Sequence, residues 1–250
     1  MPKEYGETDE HNVIWGSDTT KLYNNYLDLC DDLDYVVPFA FRTKHVANSR
    51  TLTGKGRKYT AVLPYSLYVP AGMKAYGLKG RNGSTLTFAQ VPGRMEALVP
   101  HVIVLADESA TLGTDISQEI PSTYEAVRTM GSNQVDVTGF TLRGTLGAID
   151  NKTAHELGAW IMQADSQWWK VPSNVKEANI PPFRCYLLEN GNQGVNTLGT
   201  AFTDETDGID TIRTIDSDGT ERYYDLNGRE LPGKPQRGVY IKDDKKYVGK

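Results

Sequence analysis

"MKAYGLKGRNGSTLTFAQV", residues 73–91, decides the fold. At its centre Asn82-Gly83 offers the two positive-φ residues that a type I′ hairpin turn requires. On the second arm Leu86 and Phe88 alternate with Thr85 and Thr87, the period-two signature of a strand with one buried and one wet face. Just beyond, "HVIVLAD" (101–107) is an unbroken apolar run, as expected of a strand covered on both faces.

Working outward, "VVPFAF" (36–41) and "YTAVLPYSLYV" (59–69) read as strands broken by Gly and Pro. A second set follows in "VDVTGFTLRGTL" (135–146), "GAWIMQADSQWWKV" (158–171) and "FRCYLLEN" (183–190). Between the sets, "DISQEIPSTYEAVRTMGSNQ" (115–134) reads as a polar loop with at most a short helical turn. "TDETDGID" (203–210) is an acidic linker rich in turn formers. After it come "TIRTID", "TERYYDL" and "GVYIKDDKKYVGK", separated by Ser217-Asp218-Gly219 and Asn227-Gly228. Strands at short, regular spacing without amphipathic helices indicate an all-β fold, an antiparallel β-sandwich or barrel-like pair of sheets.

One stretch breaks the pattern. In "TTKLYNNYLDLCDDLDY" (19–35), Leu22, Tyr26 and Leu29 recur at helical spacing, with Asp18 or Thr19 as N-cap, and a short helix is expected there. The organisation that follows is an acidic segment over 1–35, a sandwich-type module over 36–202 built from strand sets at 36–115 and 135–202, and a linker with a C-terminal strand hairpin over 203–250.

A chain of 250 residues, 38% of them hydrophobic, is long enough to bury a full core. Its mean hydropathy of −0.49 and the lack of any run near the roughly 18 apolar residues of a spanning helix argue against a transmembrane segment. The net charge of −5 is mild and mixed, which argues against a nucleic-acid surface. Met1-Pro2-Lys3 carries no charged-then-apolar leader, so no signal peptide is read here. Two cysteines, Cys30 and Cys185, do not form a disulfide framework; they could pair, or Cys185 could sit inward as a small core residue, as the alternation in "PFRCYLLE" implies.

Several of these segments resemble a known pattern. "RTLTGKGRKYTAVLPYSLYVPAGMKAYGL", "STLTFAQV" and "LVPHVIVLA" resemble successive strands of a β-rich accessory module of secreted and surface proteins of Bacteroidales and Prevotella-like bacteria. "GAWIMQADSQWWKVPSN" and "IPPFRCYLLE" are similar to the hairpin that follows in that family. "DGTERYYDLNGRELPGKPQRGVYIKDDKKYVGK" is similar to the terminal segment of such proteins and to type IX secretion sorting domains. Tyr65 stands where the family has phenylalanine, and the tail ends in Gly249-Lys250 rather than a β-branched pair. The resemblance implies an extracellular or cell-surface location and an accessory role beside an upstream catalytic domain. "DTT" (18–20) and "DTI" (210–212) are similar to the threonine acceptor motif for O-glycosylation in these bacteria.

No catalytic signature is read. The chain lacks a G-x-S-x-G elbow, a Walker loop and a paired-cysteine zinc pattern. "HELGA" begins like a metalloprotease helix, but four residues after His155 stands Ala159, not a second ligand. His11, His45, His101 and His155 are widely separated and read as solvated residues. Asp28, Asp31, Asp32 and Asp34 form one carboxylate cluster; Asp204, Glu205, Asp207 and Asp210 form another, with Asp204, Glu205 and Asp207 the candidates for a structural calcium ion. No other cofactor is expected. In "QWWKV", Lys170 is expected to face water, which places Trp168 on the outer face and Trp169 and Val171 inward. Trp168, Lys170 and Trp160 are therefore the expected ligand-binding residues, with a glycan or a cell-surface protein as partner; Trp15 is a further candidate. The expected function is a non-catalytic binding module. The alternatives are a polysaccharide hydrolase fragment using paired carboxylates and a structural spacer.

Overall fold

The computed structural model describes residues 11–18, 21–123, 134–173, 178–195 and 197–204, and the backbone of strands at 223–224, 230–231, 238–242 and 245–249. The chain divides into two compact units, Met1–Glu205 and Thr206–Lys250.

In chain order the first unit begins with β1 (Trp15–Gly16), β2 (Leu22–Leu29), β3 (Phe41–Asn48) and β4 (Thr51–Thr53). Next come β5 (Lys58–Ala61), β6 (Leu67–Tyr68), β7 (Met73–Asn82), β8 (Thr85–Gln90) and β9 (Arg94–Met95). β10 (His101–Leu105), β11 (Ser109–Thr111), β12 (Gln118–Ile120), β13 (Gln134–Val137) and β14 (Phe140–Thr145) follow. After a short helix, α1 (Asn151–Glu156), come β15 (Trp160–Met162), β16 (Trp168–Lys170), β17 (Arg184–Glu189) and β18 (Thr197–Thr203). The protein is all-β.

Ten strands form one sheet in the order β13-β14-β17-β15-β16-β18-β8-β7-β10-β5. The sheet curls back on itself. The N–H of Val62, just past edge strand β5, donates to the Phe183 carbonyl at 3.2 Å, and the N–H of Cys185 in β17 donates to Thr60 Oγ1 at 3.1 Å. Inside the curl, Phe88 stacks on Trp168 at 6.4 Å and Trp160 meets Phe140 edge-on at 5.8 Å. β1, β2, β3 and β12 form a second, smaller sheet. Pairings within the sheets are antiparallel except β2 with β3 and β18 with β8.

The central hairpin forms as expected, but its turn lies one residue later. Asn82 pairs with Thr85, so Gly83-Ser84 is the two-residue loop, and Gly83 alone has positive φ, at 58°. Glycine at the first central position is the requirement of the type II′ form. β10 is buried along most of its length, as the apolar run implied.

Four other stretches differ from their sequence reading. The expected helix over 19–35 is instead strand β2: Leu27 and Leu29 are buried, and the strand pairs in parallel with β3, a long-range partner that outweighs the local helical spacing. "VVPFAF" is irregular up to Phe41, because Pro38 interrupts it and Val37 bonds to Thr123 through its N–H and its carbonyl. "VDVTGFTLRGTL" is a hairpin, β13 and β14, turning at Thr138-Gly139 with Gly139 at φ 79°. The polar loop at 115–134 contributes β12, which pairs with β3.

Helix α1 starts at Asp150, whose Oδ1 accepts the Thr153 N–H at 2.7 Å. That bond holds the Asp150 carboxyl below the usual carboxylate range. The "HELGA" stretch is the end of this helix, where His155 Nδ1 lies 3.0 Å from the Val171 carbonyl.

The second unit contains β19 (Tyr223–Tyr224), β20 (Glu230–Leu231), β21 (Gly238–Lys242) and β22 (Lys245–Gly249), in the order β20-β19-β21-β22. "GVYIKDDKKYVGK" is thus two antiparallel strands in register from Gly238↔Gly249 to Lys242↔Lys245, not one. Asn227-Gly228 lies outside the described residues.

Candidate functional site

The tryptophan hairpin β15–β16 inverts the sequence reading. Trp168 and Trp160 are fully buried, whereas Trp169 is 44% exposed. Trp168 and Lys170 do share a face, yet that face is the core side. Lys170 reaches solvent from its rim: its ammonium lies 5.9 Å from the Trp160 ring centroid and 3.0 Å from Glu189 Oε2. A lysine stem covers apolar surface while its charge stays wet, so an exposed lysine does not mark an outward face. Trp168 and Trp160 are therefore core residues that no external ring can reach. Burial opposes ionisation of Glu189, but the Gln193 N–H, Lys170 and Arg81 outweigh it and hold the carboxyl below the usual range.

On the outer face, Trp169 stands between Ile161 of β15 and Thr197 of β18. Ile161 packs on a satellite apolar cluster that includes Ile149, Ile180, Val171 and Tyr186. Tyr186 is thus buried on the opposite side of β17 from Cys185, because both faces of that strand are covered. The indole of Trp169 is presented on a three-stranded floor beside a hydroxyl-bearing neighbour.

The carboxylate clusters disperse into separate contacts. Asp31 binds Arg184 through both oxygens, Asp34 Oδ1 accepts the Ala148 N–H at 2.6 Å, and Asp28 lies 2.5 Å from His11 Nδ1. Asp204 accepts from the Tyr76 hydroxyl at 2.6 Å and from Lys74 at 2.9 Å, and these two partners hold its carboxyl below the usual range. Glu205, Asp207 and Asp210 lie outside the described residues, as do Thr19, Thr20 and the 210–212 motif. Among the described residues no group of three or more His, Cys, Asp or Glu side chains could hold a metal ion.

The histidines are not all solvated. His11 and His45 stack on the two faces of Tyr26, at 5.0 and 4.9 Å. His101 is buried, and burial lowers its imidazole to about 4 against the opposing pull of the Val99 backbone and Glu96.

A cleft of about 280 Å³ lies against β2 and the loop that follows it. Leu27, Leu29, Phe41 and Phe183 supply buried apolar wall, while Ile14 and Leu33, 41% and 63% exposed, stand at its mouth. Tyr35 also lines it, with its ring tilted against Phe183 and its buried hydroxyl without a hydrogen-bond partner among the described residues. Desolvation raises that phenol above its ordinary range. The polar lining is Asn12, Asp28, Asp34 and the exposed free thiol of Cys30. Cys185, the other free thiol, is buried as the alternation implied. Sequence reasoning missed the cleft because its walls come from β2, the 33–37 loop and Phe183, which only tertiary structure brings together. The local signal available was the run of apolar residues in "LDYVVPFA", with Pro38 to deny them a strand.

No helix among the described residues is long and apolar enough to cross a membrane. No family model, no curated protein and no solved structure matches this chain.

Proposed function

We propose that this chain is a non-catalytic β-module that binds glycan outside the cell, with Trp169 as the platform on which a sugar ring stacks. The observation that carries the reading is the position of Trp169: 44% exposed, mid-strand, between Ile161 and Thr197, while the other two tryptophans of its hairpin are buried. A flat indole fixed on a sheet loses little freedom on binding, offers an apolar face to sugar C–H groups, and keeps a polar N–H edge for a hydroxyl. The extracellular setting rests on the resemblance of the β-strand segments and the terminal residues to accessory modules and type IX sorting domains. In this reading the second unit is the export or anchoring element of a larger secreted or surface protein.

The test is retardation in gels containing a panel of polysaccharides, for the wild type and Trp169→Ala. Retardation by at least one polysaccharide that disappears in the variant, with circular dichroism unchanged, supports the reading. Full retardation in the variant, or none in the wild type across the panel, overturns it. Residues Trp168 and Trp160 are unsuitable for this test because truncating them opens the core.

A further inference from the structure

The cleft beside β2 lies apart from the Trp169 face and has a chemistry of its own. Its walls are apolar and aromatic, and its charged lining residues are the carboxylates Asp28 and Asp34, with no lysine or arginine among them. Arg184, which meets this loop, is held by Asp31 in a two-bond pair. Asp32, next along the loop, is exposed. Asp28 lies 2.5 Å from His11 Nδ1 and Asp34 accepts the Ala148 N–H through one oxygen, but neither carboxylate is paired with a lysine or arginine among the described residues. A site with an apolar interior and carboxylates at its rim favours a guest that is apolar at one end and cationic at the other.

The backbone fixes this shape in advance. Asn12 and Phe183 line the cleft and both have positive φ, at 59° and 60°; asparagine adopts that conformation readily, whereas a bulky side chain such as that of Phe183 rarely does. Each is held by bonds on the adjoining chain. Asn12 donates its N–H to the Tyr26 carbonyl at 2.8 Å and its Oδ1 accepts the Asp28 N–H at 2.7 Å. Phe183 donates to the Thr145 carbonyl at 2.7 Å and its own carbonyl accepts from Val62 at 3.2 Å. Strain held by surrounding bonds, as at Phe183, is a mark of binding and switch regions. The volume, about 280 Å³, falls just below the roughly 300–1,000 Å³ of sites for drug-sized ligands, and so suits a smaller body.

We propose that the cleft is a binding site for a small organic cation, an ammonium group carried on an aromatic or apolar body. The body enters between Leu27, Tyr35 and Phe183, where aromatic faces also attract positive charge, and the ammonium remains at the mouth near Asp28 and Asp34. Cys30, in the lining, reports occupancy.

The probe is 2-phenylethylamine, with 3-phenylpropionate as its anionic counterpart and 2-phenylethanol as the neutral one. Amide shifts are followed by NMR, and Cys30 alkylation by iodoacetamide is timed in parallel. The amine is expected to give saturable shifts confined to the segments 11–14, 27–37 and 183, and to slow Cys30 alkylation several-fold. The Asp28→Asn/Asp34→Asn variant should bind it about fivefold more weakly. Leu33→Lys, at an exposed position that folding does not need, should do the same by placing a cation at the mouth. Failure of the amine to bind overturns the proposal. So do equal binding of 3-phenylpropionate and unchanged amine affinity in Leu33→Lys.

Discussion

The guanidinium of Arg184 in β17 holds both carboxylate oxygens of Asp31, at 2.7 and 2.6 Å, across 153 residues of chain. The two side chains are only 19% and 20% exposed. Beneath them lies Arg50, buried and bonded to the Thr60 carbonyl at 2.9 Å, its guanidinium lowered to about 10 first by burial and then by the repulsion of Arg184. The ion pair thus ties the loop after β2 to the main sheet and balances a second arginine below. Arg184→Ala leaves Asp31 without its partner and should cost about 1–3 kcal/mol in urea unfolding. Asp31→Ala should cost at least as much, because two arginines then face each other. The double variant should cost less than the sum; strict additivity would show that the pair is not coupled.

The two adjacent tryptophans should behave oppositely. Trp168→Ala removes a fully buried ring that stacks on Phe88, and should destabilise by about 3–5 kcal/mol. Trp169→Ala should cost less than about 1 kcal/mol. Acrylamide quenching provides a second measurement: Trp169→Phe should remove a large part of the quenchable emission, and Trp168→Phe little of it. Equal losses would contradict the burial assignment.

Protonation of His101 should set part of the acid limb of stability. The folded imidazole is depressed to about 4, whereas an unfolded one titrates near 6.5. Between these values the unfolded chain binds more protons, so stability is full above about pH 6.5, falls as pH drops towards 4, and levels off below. The contribution is on the order of 3 kcal/mol over that window. His101→Leu should flatten the corresponding part of the pH profile, measured by chemical denaturation. A profile parallel to the wild type would remove His101 from the account.

The free thiols should differ in reactivity. Cys30 is exposed, while Cys185 is buried, its thiol pushed up to about 12 by desolvation and its Sγ 3.1 Å from the Ala61 carbonyl. A thiol reagent at pH 8 should titrate one thiol in the native protein and two in denaturant. Two in the native state would mean that β17 opens readily.

The features legible in the sequence were those set by local chemistry. Alternation in Leu86 and Phe88 located β8, the apolar run of "HVIVL" located β10, and both are buried as their patterns require. What escaped depended on distant partners or on side-chain length. The spacing of Leu22, Tyr26 and Leu29 fits a helix, while buried Leu27 and Leu29 alternate about exposed Asp28 as in a strand, and the parallel register with β3 that decides the matter lies outside the segment. Lys170 in sequence marks an outward face, but its four-carbon stem lets it leave a buried one. The cleft was the least legible feature, since Phe183 meets Tyr35 across nearly 150 residues.

β18 is the last strand of its unit to leave the ribosome, yet it stands between β16 and β8, in the interior of the ten-strand order. Until residues 197–203 are synthesised, β8 and β16 each present a bare rank of amides and carbonyls. A chain halted before Thr197 is therefore not a slightly shortened domain but two part-sheets with adhesive borders, prone to pairing with any strand they meet.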